Sequence, residues 1–306
     1  PRTGPYFRTS RRMLPGHHES RSFRGLHQAD RVKNARGDVM RLLLFVVLMM
    51  VGLPPVTEAR DIRLIVALSG YAMQDEAIVP VLQSYLRPAD YLIGWGGRRL
   101  TMSFLSRFPQ VRKTMGIASS REFDELITQI IPPLPYPLDM LYYDPEHWER
   151  TPLDEQQRVP ETLSALAQRI RQARYRVGFA PDRRFTLELY QQIDWQQVDL
   201  FVFQTQRVVR TEADLQPFCE MVSRVASFIR SRNPRTEIYV QFAFRFSEPT
   251  LMTQAIDLAV TMPITGISLL YLLNEECPTR CTVRNLERVL AYVERLRASS
   301  AVPGSP

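Results

Sequence analysis

Short runs of apolar residues alternate with longer amphipathic stretches over most of the chain. Runs rich in β-branched and aromatic residues, bounded by Gly, Pro or polar residues, are typical of strands. Eight such strands are predicted, at Ile62–Leu68, Tyr91–Gly94, Thr114–Ala118, Met140–Tyr143, Arg176–Ala180, Leu200–Gln204, Glu237–Phe242 and Gly266–Tyr271. Strands that are apolar throughout, such as Leu200–Gln204, indicate a parallel sheet covered on both faces.

The stretches between the strands have the spacing of apolar residues that is typical of helices. Helices are predicted at Glu76–Leu86, Leu100–Phe108, Ser120–Ile131, Pro160–Ala173, Leu187–Trp195, Ala213–Arg232, Pro249–Met262 and Val283–Ala298. Eight strand–helix units predict a closed (β/α)8 TIM barrel, which usually takes about 250 residues. A doubly wound open sheet is the alternative, but the turn at Ser69-Gly70-Tyr71 lacks the Gly-x-Gly-x-x-Gly pattern of dinucleotide-binding sheets.

The N-terminal part of the chain has a different composition. Residues 1–39 contain nine Lys and Arg against three acidic residues and have no apolar period. They account for most of the formal net charge of +7, so the body of the protein is nearly neutral. We therefore expect a disordered basic tail or an upstream read-through at 1–39, and a body that does not bind nucleic acid.

The segment 40–59 has the features of a secretory signal peptide. Met40-Arg41 precedes an apolar run at Leu42–Leu53, and Pro54-Pro55 is followed by a small residue, Ala59, where cleavage is expected. Translation starting at Met40 would fit this pattern. A membrane anchor is the alternative, but about 20 apolar residues are needed to span a bilayer. We expect a secreted or periplasmic monomer with a barrel at 60–298 and a disordered tail at 299–306.

The sequence contains three cysteines, and their arrangement agrees only partly with that of an exported protein. Cys277 and Cys281 are close enough in sequence for a local disulfide in an oxidising compartment. A zinc site needs further ligands, and His147 is the only histidine after residue 59. Cys219 fits a helical core position. We predict neither a metal nor a cofactor.

Active sites of this fold lie at the carboxyl ends of the strands. The densest polar cluster there runs from Tyr142 through Asp144 and Glu146 to His147 and Trp148. In an extended chain alternate side chains share one face, so Asp144 and Glu146 are expected side by side. Like charges at close range raise one pKa and keep that carboxyl protonated as a general acid.

The stretch Asp139-Met-Leu-Tyr142-Tyr-Asp144-Pro-Glu146 resembles the strand-4 Asp-x-x-Asp-x-Asp-x-Glu motif of glycoside hydrolase family 18, the chitinase-like barrels. The resemblance implies that Glu146 donates a proton, that Asp144 orients an acetamido group, and that Asp139 is a buried supporting acid. Tyr142 replaces the second Asp of the motif. The strand-6 motif and the strand-8 tryptophan of the family are missing. The stretch Glu146 to Pro152 is also similar to uncharacterised secreted bacterial barrels.

Other strand ends offer further binding residues. The candidates for contacts with a saccharide are Tyr71, Trp95, Asp139, Tyr142, His147, Trp148, Asp182, Gln204, Gln206, Gln241 and Tyr271. Aromatic faces can stack on sugar rings, and amide groups can hydrogen-bond hydroxyls. The glutamines fit polar layers inside the barrel equally well. Arg183 and Arg184 are typical of a solvated turn, but they would matter for an anionic substrate.

Glycosidic-bond cleavage in a polysaccharide, with Glu146 as acid and Asp144 assisting, is the predicted function. A non-catalytic carbohydrate-binding barrel is the alternative, which Tyr142 favours. The two carboxylates would then be a structural pair that binds backbone amides or a nearby arginine, such as Arg98, Arg99, Arg183 or Arg245. A metal-dependent hydrolase that uses Asp144, Glu146 and His147 is a third alternative, but it lacks further histidines.

Overall fold

The computed structural model describes residues 61–95, 98–131, 134, 136–272, 277 and 279–300. For Trp95, Arg98, Arg99 and Ser300 it describes the backbone alone. The predicted basic segment 1–39 and the predicted signal peptide 40–59 lie outside these residues.

Parallel strands pair in chain order, and the last pairs with the first, so the sheet closes into a barrel. The strands are β1 Arg63–Ser69, β2 Tyr91–Trp95, β3 Arg112–Ile117, β4 Met140–Tyr143, β5 Arg176–Phe179, β6 Leu200–Gln204, β7 Glu237–Ala243 and β8 Gly266–Tyr271. The predicted (β/α)8 barrel is therefore confirmed, and the doubly wound alternative is excluded by the pairing of β1 with β8.

Helices follow the strands around the barrel. They are α1 Gly70–Gln74, α2 Ile78–Tyr85, α3 Arg98–Leu105, α4 Ser120–Glu125, α5 Leu153–Gln156, α6 Val159–Gln172, α7 Arg183–Leu189, α8 Leu215–Arg232, α9 Pro249–Ala259 and α10 Val283–Ser300. A π-helical turn at Leu126–Ile130 continues α4, and 3-10 turns lie at Trp195–Gln197 and Glu212–Asp214.

Local sequence explains where α7 begins. Asp182 caps α7, because its Oδ1 accepts a hydrogen bond of 2.9 Å from the backbone N–H of Phe185. The helix that we predicted at Leu187–Trp195 therefore starts four residues earlier and ends at Leu189.

At the other end of the chain, α10 continues to Ser300, so residues 299 and 300 are helical rather than part of the predicted tail.

Side chains alternate between the barrel interior and the layer under the helices. The interior cluster consists of Ile65, Ala67, Tyr91, Ile93, Met140, Tyr142, Ala180, Leu200, Val202 and Tyr239. Strand residues of the opposite face, including Tyr143, Phe201, Phe203 and Leu269, pack against the helices in a larger outer core. Both layers are apolar, as expected for parallel strands buried on both faces.

The amino-terminal end of the barrel is closed by a polar network around Glu237. Its carboxylate accepts a hydrogen bond of 2.8 Å from Arg176, lies 3.4 Å from Arg63, and accepts 3.2 Å from the hydroxyl of Tyr239. A ligand would therefore approach the barrel from the carboxyl ends of the strands.

The last helix is attached to the first two strands by a buried ion pair. Arg297 in α10 binds Asp90, and both side chains are almost fully buried, at 2% and 1% exposure. Asp90 also accepts a hydrogen bond of 2.7 Å from the backbone N–H of Leu64 in β1. This contact holds α10 against the seam where the barrel closes.

Cys277 and Cys281 form a disulfide, which their spacing in the sequence allows but does not settle. Cys219 is partly buried in α8 and packs against the outer core. Within the described part of the chain, no helix is both long and apolar enough to cross a membrane.

Candidate functional site

Asp144 and Glu146 follow β4 at the carboxyl ends of the strands. The backbone N–H of Asp144 donates to the carbonyl of Ile117 at 2.8 Å, so the pairing with β3 extends one residue past β4. This places the Asp144 side chain inside the barrel, where it is 4% exposed. Glu146 lies two residues farther along and is half-buried. The predicted placement of both carboxyls at one end of the barrel is thus observed.

Gln204, at the end of β6, bridges the two carboxyls. Its Nε2 lies 2.7 Å from the carbonyl oxygen of Ala180, 2.9 Å from Asp144 Oδ1 and 3.4 Å from Glu146 Oε1. The contact with Glu146 is the longest and weakest of the three. Asp144 Oδ1 and Glu146 Oε1 must lie near each other, because both are within 3.4 Å of the same nitrogen. The pair is therefore compact, and Gln206 extends the network by donating to Gln204 Oε1 at 2.9 Å.

Burial dominates the electrostatics of this pair. Loss of solvation and the charge of Glu146 raise the pKa of Asp144 well above its usual range. Burial also raises the pKa of Glu146, although the hydrogen bond from Gln204 opposes this. The charge of Asp182 raises the pKa of Glu146 further, and Arg207 and Arg150 lower it. The site therefore keeps a proton to a higher pH than two isolated carboxyls would.

His147 is held by Asp182. Its Nδ1 lies 2.6 Å from Asp182 Oδ2, and its ring stacks on Phe185 with the ring centroids 3.9 Å apart. Because Asp182 also caps α7, this contact joins the loop after β4 to the start of α7. His147 and Asp182, both predicted as binding residues, therefore lie beside Glu146 and line a cavity with it.

Trp148 is held by contacts within the loop after β4. Its indole N–H donates to Thr151 Oγ1 at 3.0 Å, and the guanidinium of Arg150 lies 4.9 Å from the ring centroid. Arg150 in turn donates two hydrogen bonds of 2.9 Å to the carboxylate of Glu122. Trp148 is half-buried, and one side of it lines a cavity together with Asp144 and Glu146.

Tyr142 lies one layer below Asp144 in the barrel interior. In the sheet it stands between Gly116 on β3 and Gly178 on β5. A Cβ at Gly116 would come within 2.5 Å of the Tyr142 ring, so glycine is required for the ring to fit. Burial raises the pKa of Tyr142, which stays a neutral phenol where the family 18 motif has an acid. The two glycines of the neighbouring strands thus leave room for Tyr142.

Two cavities meet at Glu146. One, of about 280 Å³, is lined by both carboxyls and by Trp148, Gln241, Leu270 and Leu272. The other, of about 330 Å³, is lined by Glu146, His147, Asp182 and three arginines, Arg183, Arg184 and Arg207. Gln204 and Gln206 line both. Glu146 is therefore accessible from two sides, and Asp144 from one.

A larger cavity, of about 730 Å³, lies on the outer face of α6 and is lined mainly by exposed and half-buried residues of that helix. None of the predicted site residues lines it.

Two residues that we predicted to bind a saccharide lie outside the site. Asp139 precedes β4, so it lies at the amino-terminal end of the barrel, where it is exposed and accepts a hydrogen bond of 2.9 Å from the backbone N–H of Lys113. The expected buried supporting acid is therefore wrong. Tyr271 faces the outer core and packs edge-to-face against Phe244, with the ring centroids 5.4 Å apart. Its neighbours Leu270 and Leu272 line the cavity instead.

The remaining candidates are distributed around the strand ends. Tyr71, in α1, is 68% exposed. Trp95 is the last residue of β2, and its side chain lies outside the described residues. Gln241 on β7 lines the smaller cavity, and its Nε2 lies 3.4 Å from Ser268 Oγ. Gln206 is half-buried beside Gln204, as predicted for a residue of this end.

Sequence reasoning missed Arg150 and Arg207. Both lie in loops beyond strand ends, where no periodic pattern indicates which way a side chain points. A useful signal would have been their position after β4 and β6, the strands that carry the carboxyls and Gln204. Among the described residues, the ion pairs do not include Asp144 or Glu146, and the Gln204 amide binds both carboxyls. The side chains of Arg98 and Arg99, two partners in the structural alternative, lie outside the described residues. In the same part of the chain, no group of three His, Cys, Asp or Glu side chains is placed to hold a metal.

Comparison with known proteins supports the fold alone. No protein-family model matches the chain, and no curated protein matches it. A truncated 3-deoxy-D-arabino-heptulosonate 7-phosphate synthase from Thermotoga maritima is similar, with a TM-score of 0.50 and 10% identity over 78% of this chain and 87% of that one. An amidohydrolase from Burkholderia multivorans with bound zinc gives a TM-score of 0.49 and 12% identity over 79% of this chain and 93% of that one.

The flavin-binding domain of baker's yeast flavocytochrome b2 gives a TM-score of 0.45 and 8% identity over 78% of this chain. The match spans 64% of that structure, which is less than two thirds of its length. At 10% identity the match to the synthase is one of TIM-barrel architecture, and the chemistry of the site must be argued from its own residues.

Proposed function

We propose that this protein is a secreted glycoside hydrolase that cleaves a polysaccharide by general acid catalysis from Glu146, assisted by Asp144. The observation that carries the proposal is the position of Glu146. It is a half-buried carboxyl of raised pKa, it lies between two cavities, and it shares the Gln204 amide with a buried second carboxyl. A glycosidic bond that spans the two cavities would place its oxygen beside Glu146.

The chemistry follows from this arrangement. Glu146 donates its proton to the glycosidic oxygen as the bond between that oxygen and the anomeric carbon breaks. Water then adds its hydroxyl to the anomeric carbon, and its proton returns to the Glu146 carboxylate. The raised pKa keeps Glu146 protonated nearer to neutral pH, where a general acid is most effective.

Asp144 is the better candidate for the assisting carboxyl. Other acids beyond the strand ends have different partners, since Asp182 holds His147 and caps α7, and Glu248 forms an ion pair with Arg280. Glu275 lies outside the described residues. The similarity to family 18 supports a substrate-assisted route, in which Asp144 would orient an acetamido group of the sugar and no separate protein nucleophile is needed.

Binding of a saccharide is supported by the side chains around the carboxyls. Trp148 offers a half-buried aromatic face, and Gln204, Gln206 and Gln241 offer amide groups that can hydrogen-bond sugar hydroxyls. Secretion is supported by the predicted signal peptide and by the Cys277–Cys281 disulfide, since disulfides persist mainly in oxidising compartments.

A non-catalytic carbohydrate-binding barrel is the second candidate. Tyr142 favours it, because this buried neutral phenol cannot exchange a proton with Asp144 at ordinary pH as an aspartate at the same place would. The cavities and Trp148 would then bind a saccharide without turnover.

Hydrolysis of a polysaccharide panel separates these candidates. Purified protein, its Glu146→Gln variant and a Glu149→Gln control would be incubated with chitin, peptidoglycan and plant and algal polysaccharides, and new reducing ends would be measured. Turnover that is lost in Glu146→Gln and kept in Glu149→Gln is expected. Saccharide binding without turnover would instead identify the non-catalytic barrel.

A further inference from the structure

We propose that the saccharide bound at this site is acidic, and that its anionic group occupies the cavity lined by Arg183, Arg184 and Arg207 beside Glu146. The inference rests on the proposed function and names its substrate class. The anionic group is a carboxylate of a uronic acid or a sulfate ester, since both present charged oxygens to a guanidinium.

The three arginines come from two separate elements. Arg183 and Arg184 open α7, which follows β5, and Arg207 lies in the loop after β6. All three line one cavity of about 330 Å³. Arginine is better suited than lysine to binding carboxylate and sulfate oxygens, because its planar guanidinium can donate two parallel hydrogen bonds.

Positive charge exceeds negative charge in the cavity. The acids in its lining are Glu146 and Asp182, and Asp182 already binds His147 Nδ1 and caps α7. Glu146 keeps a proton to a higher pH than an isolated carboxyl. Arg207 lies within electrostatic range of Glu146, since its charge lowers the pKa of that group.

The arginines can turn toward a ligand at low cost. Arg184 forms an ion pair of 3.0 Å with Glu188, but both side chains are more than half exposed, at 70% and 54%. Exposed pairs of this kind contribute about 1 kcal/mol or less. Arg183 and Arg207 are exposed, and the guanidinium carbon of Arg207 lies 5.3 Å from the centroid of the Phe246 ring.

The cavity on the other side of Glu146 has a different character. Leu270, Leu272 and Trp148 form much of its lining, and the guanidinium of its one arginine, Arg150, is bound to Glu122. The two sides therefore differ in charge. A saccharide across the site would place a neutral sugar against Trp148 and an anionic sugar among the arginines, with the bond to be cleaved between them.

Binding measured by calorimetry tests this inference without requiring turnover. In the Glu146→Gln background, which keeps a substrate intact, the probes would be oligouronates, the same oligosaccharides with their carboxyl groups reduced to alcohols, and sulfated oligosaccharides. We expect at least about tenfold tighter binding of one acidic class than of its neutral counterpart. Arg207→Gln and Arg183→Gln should each remove most of that preference, and 0.5 M salt should weaken it.

Arg235→Gln is the matched control. Arg235 is an exposed arginine in the loop before β7, at the amino-terminal end of the barrel, so its loss changes the net charge by the same amount away from the site. We expect it to leave the preference for acidic probes unchanged.

The outcomes distinguish this inference from the proposed function. Equal affinity for acidic and neutral probes, no binding of any acidic probe, or a preference that survives both arginine variants would overturn the inference. Hydrolysis of neutral polysaccharides that depends on Glu146 would then leave the proposed function intact. Binding of acidic probes that depends on the arginines, without hydrolysis of any glycan by the unmodified protein, would support the inference and overturn the hydrolase.

Discussion

Gln204 and Asp144 are joined by a hydrogen bond of 2.9 Å, although β5 lies between the strands that carry them. The contact is possible because β5 and the residue after it present small side chains, Gly178 and Ala180, to the barrel interior. The Gln204 amide crosses this gap and also donates to the Ala180 carbonyl at 2.7 Å. Its position therefore depends on three neighbouring strands.

Replacement of this amide should change the ionisation of the site. The Gln204 hydrogen bond favours the ionised form of Glu146, so Gln204→Leu should raise the pKa of Glu146. A general acid loses activity as pH rises through its pKa, so the alkaline limit of activity should move to higher pH. Carbon-13 NMR of labelled Glu carboxyls would measure the pKa directly. Gln216→Leu, at an exposed position in α8, is the control, and a downward shift in Gln204→Leu would contradict the account.

The opposite shift is expected from Asp182→Asn. The charge of Asp182 raises the pKa of Glu146, so its removal should lower that pKa and move the alkaline limit of activity to lower pH. Asparagine is also a favourable N-cap, so α7 should keep its start and the free energy of unfolding should change by no more than about 1 kcal/mol. The same NMR titration checks this, with Asp194→Asn, at the exposed cap of a 3-10 turn, as control. No change in the Glu146 titration would contradict this electrostatic effect of Asp182 on Glu146.

Asp144 should reduce the stability of the protein as pH rises. Its pKa is raised in the folded state, so above the pKa of the unfolded state the native protein holds the extra proton. Stability is then lost as pH rises toward the folded pKa. Asp144→Asn, which cannot ionise and keeps an oxygen for the Gln204 amide, should be more stable than the unmodified protein at neutral pH and similar to it at acid pH. Urea unfolding at several pH values measures this, and a variant less stable at neutral pH would contradict it.

Much of the barrel follows from apolar pattern alone. The bounds of β4, β6 and β8 agree with the predicted ones, because short apolar runs between polar residues leave little freedom in where a strand begins and ends. The short helices α1 and α5 were not predicted, since four or five residues carry no helical period. The predicted helix at Leu187–Trp195 was wrong in its start because the cap at Asp182 outweighs the apolar pattern.

The site was predicted in part for similar reasons. Position after a strand is enough to place Asp144, Glu146 and Gln204 at one end of the barrel. Position after a strand does not tell which face a side chain takes near the strand end, and for this reason Tyr271 was wrongly predicted to face the site. Nor does it predict contacts across the barrel, such as the hydrogen bond from Gln204 to Asp144. The family resemblance placed Asp139 in the site, but a residue that precedes β4 lies at the wrong end of a parallel barrel.

Gly116 should not tolerate a larger side chain. A Cβ there would lie 2.5 Å from the Tyr142 ring, so Gly116→Ala should destabilise the fold by about 1–3 kcal/mol through overpacking. In a double-mutant cycle, Tyr142→Leu should relieve part of this cost, because its side chain lacks the ring atoms that clash. Gly178→Ala should not be relieved in the same way, since its Cβ would meet the Tyr142 Cβ at 2.4 Å, and leucine keeps that atom. Additive effects of Gly116→Ala and Tyr142→Leu would contradict this packing.

The most direct test of the central claim is how the Glu146→Gln variant depends on the leaving group of its substrate. A sugar or alkyl leaving group needs a proton from the general acid, whereas dinitrophenolate is stable enough to leave without one. With glycosides of the sugar identified by the polysaccharide panel, the account predicts that kcat falls by about 10²- to 10⁴-fold for the natural linkage and far less for the dinitrophenyl glycoside. An equal loss for both leaving groups, or no loss for the natural linkage, would contradict the assignment of Glu146 as the general acid.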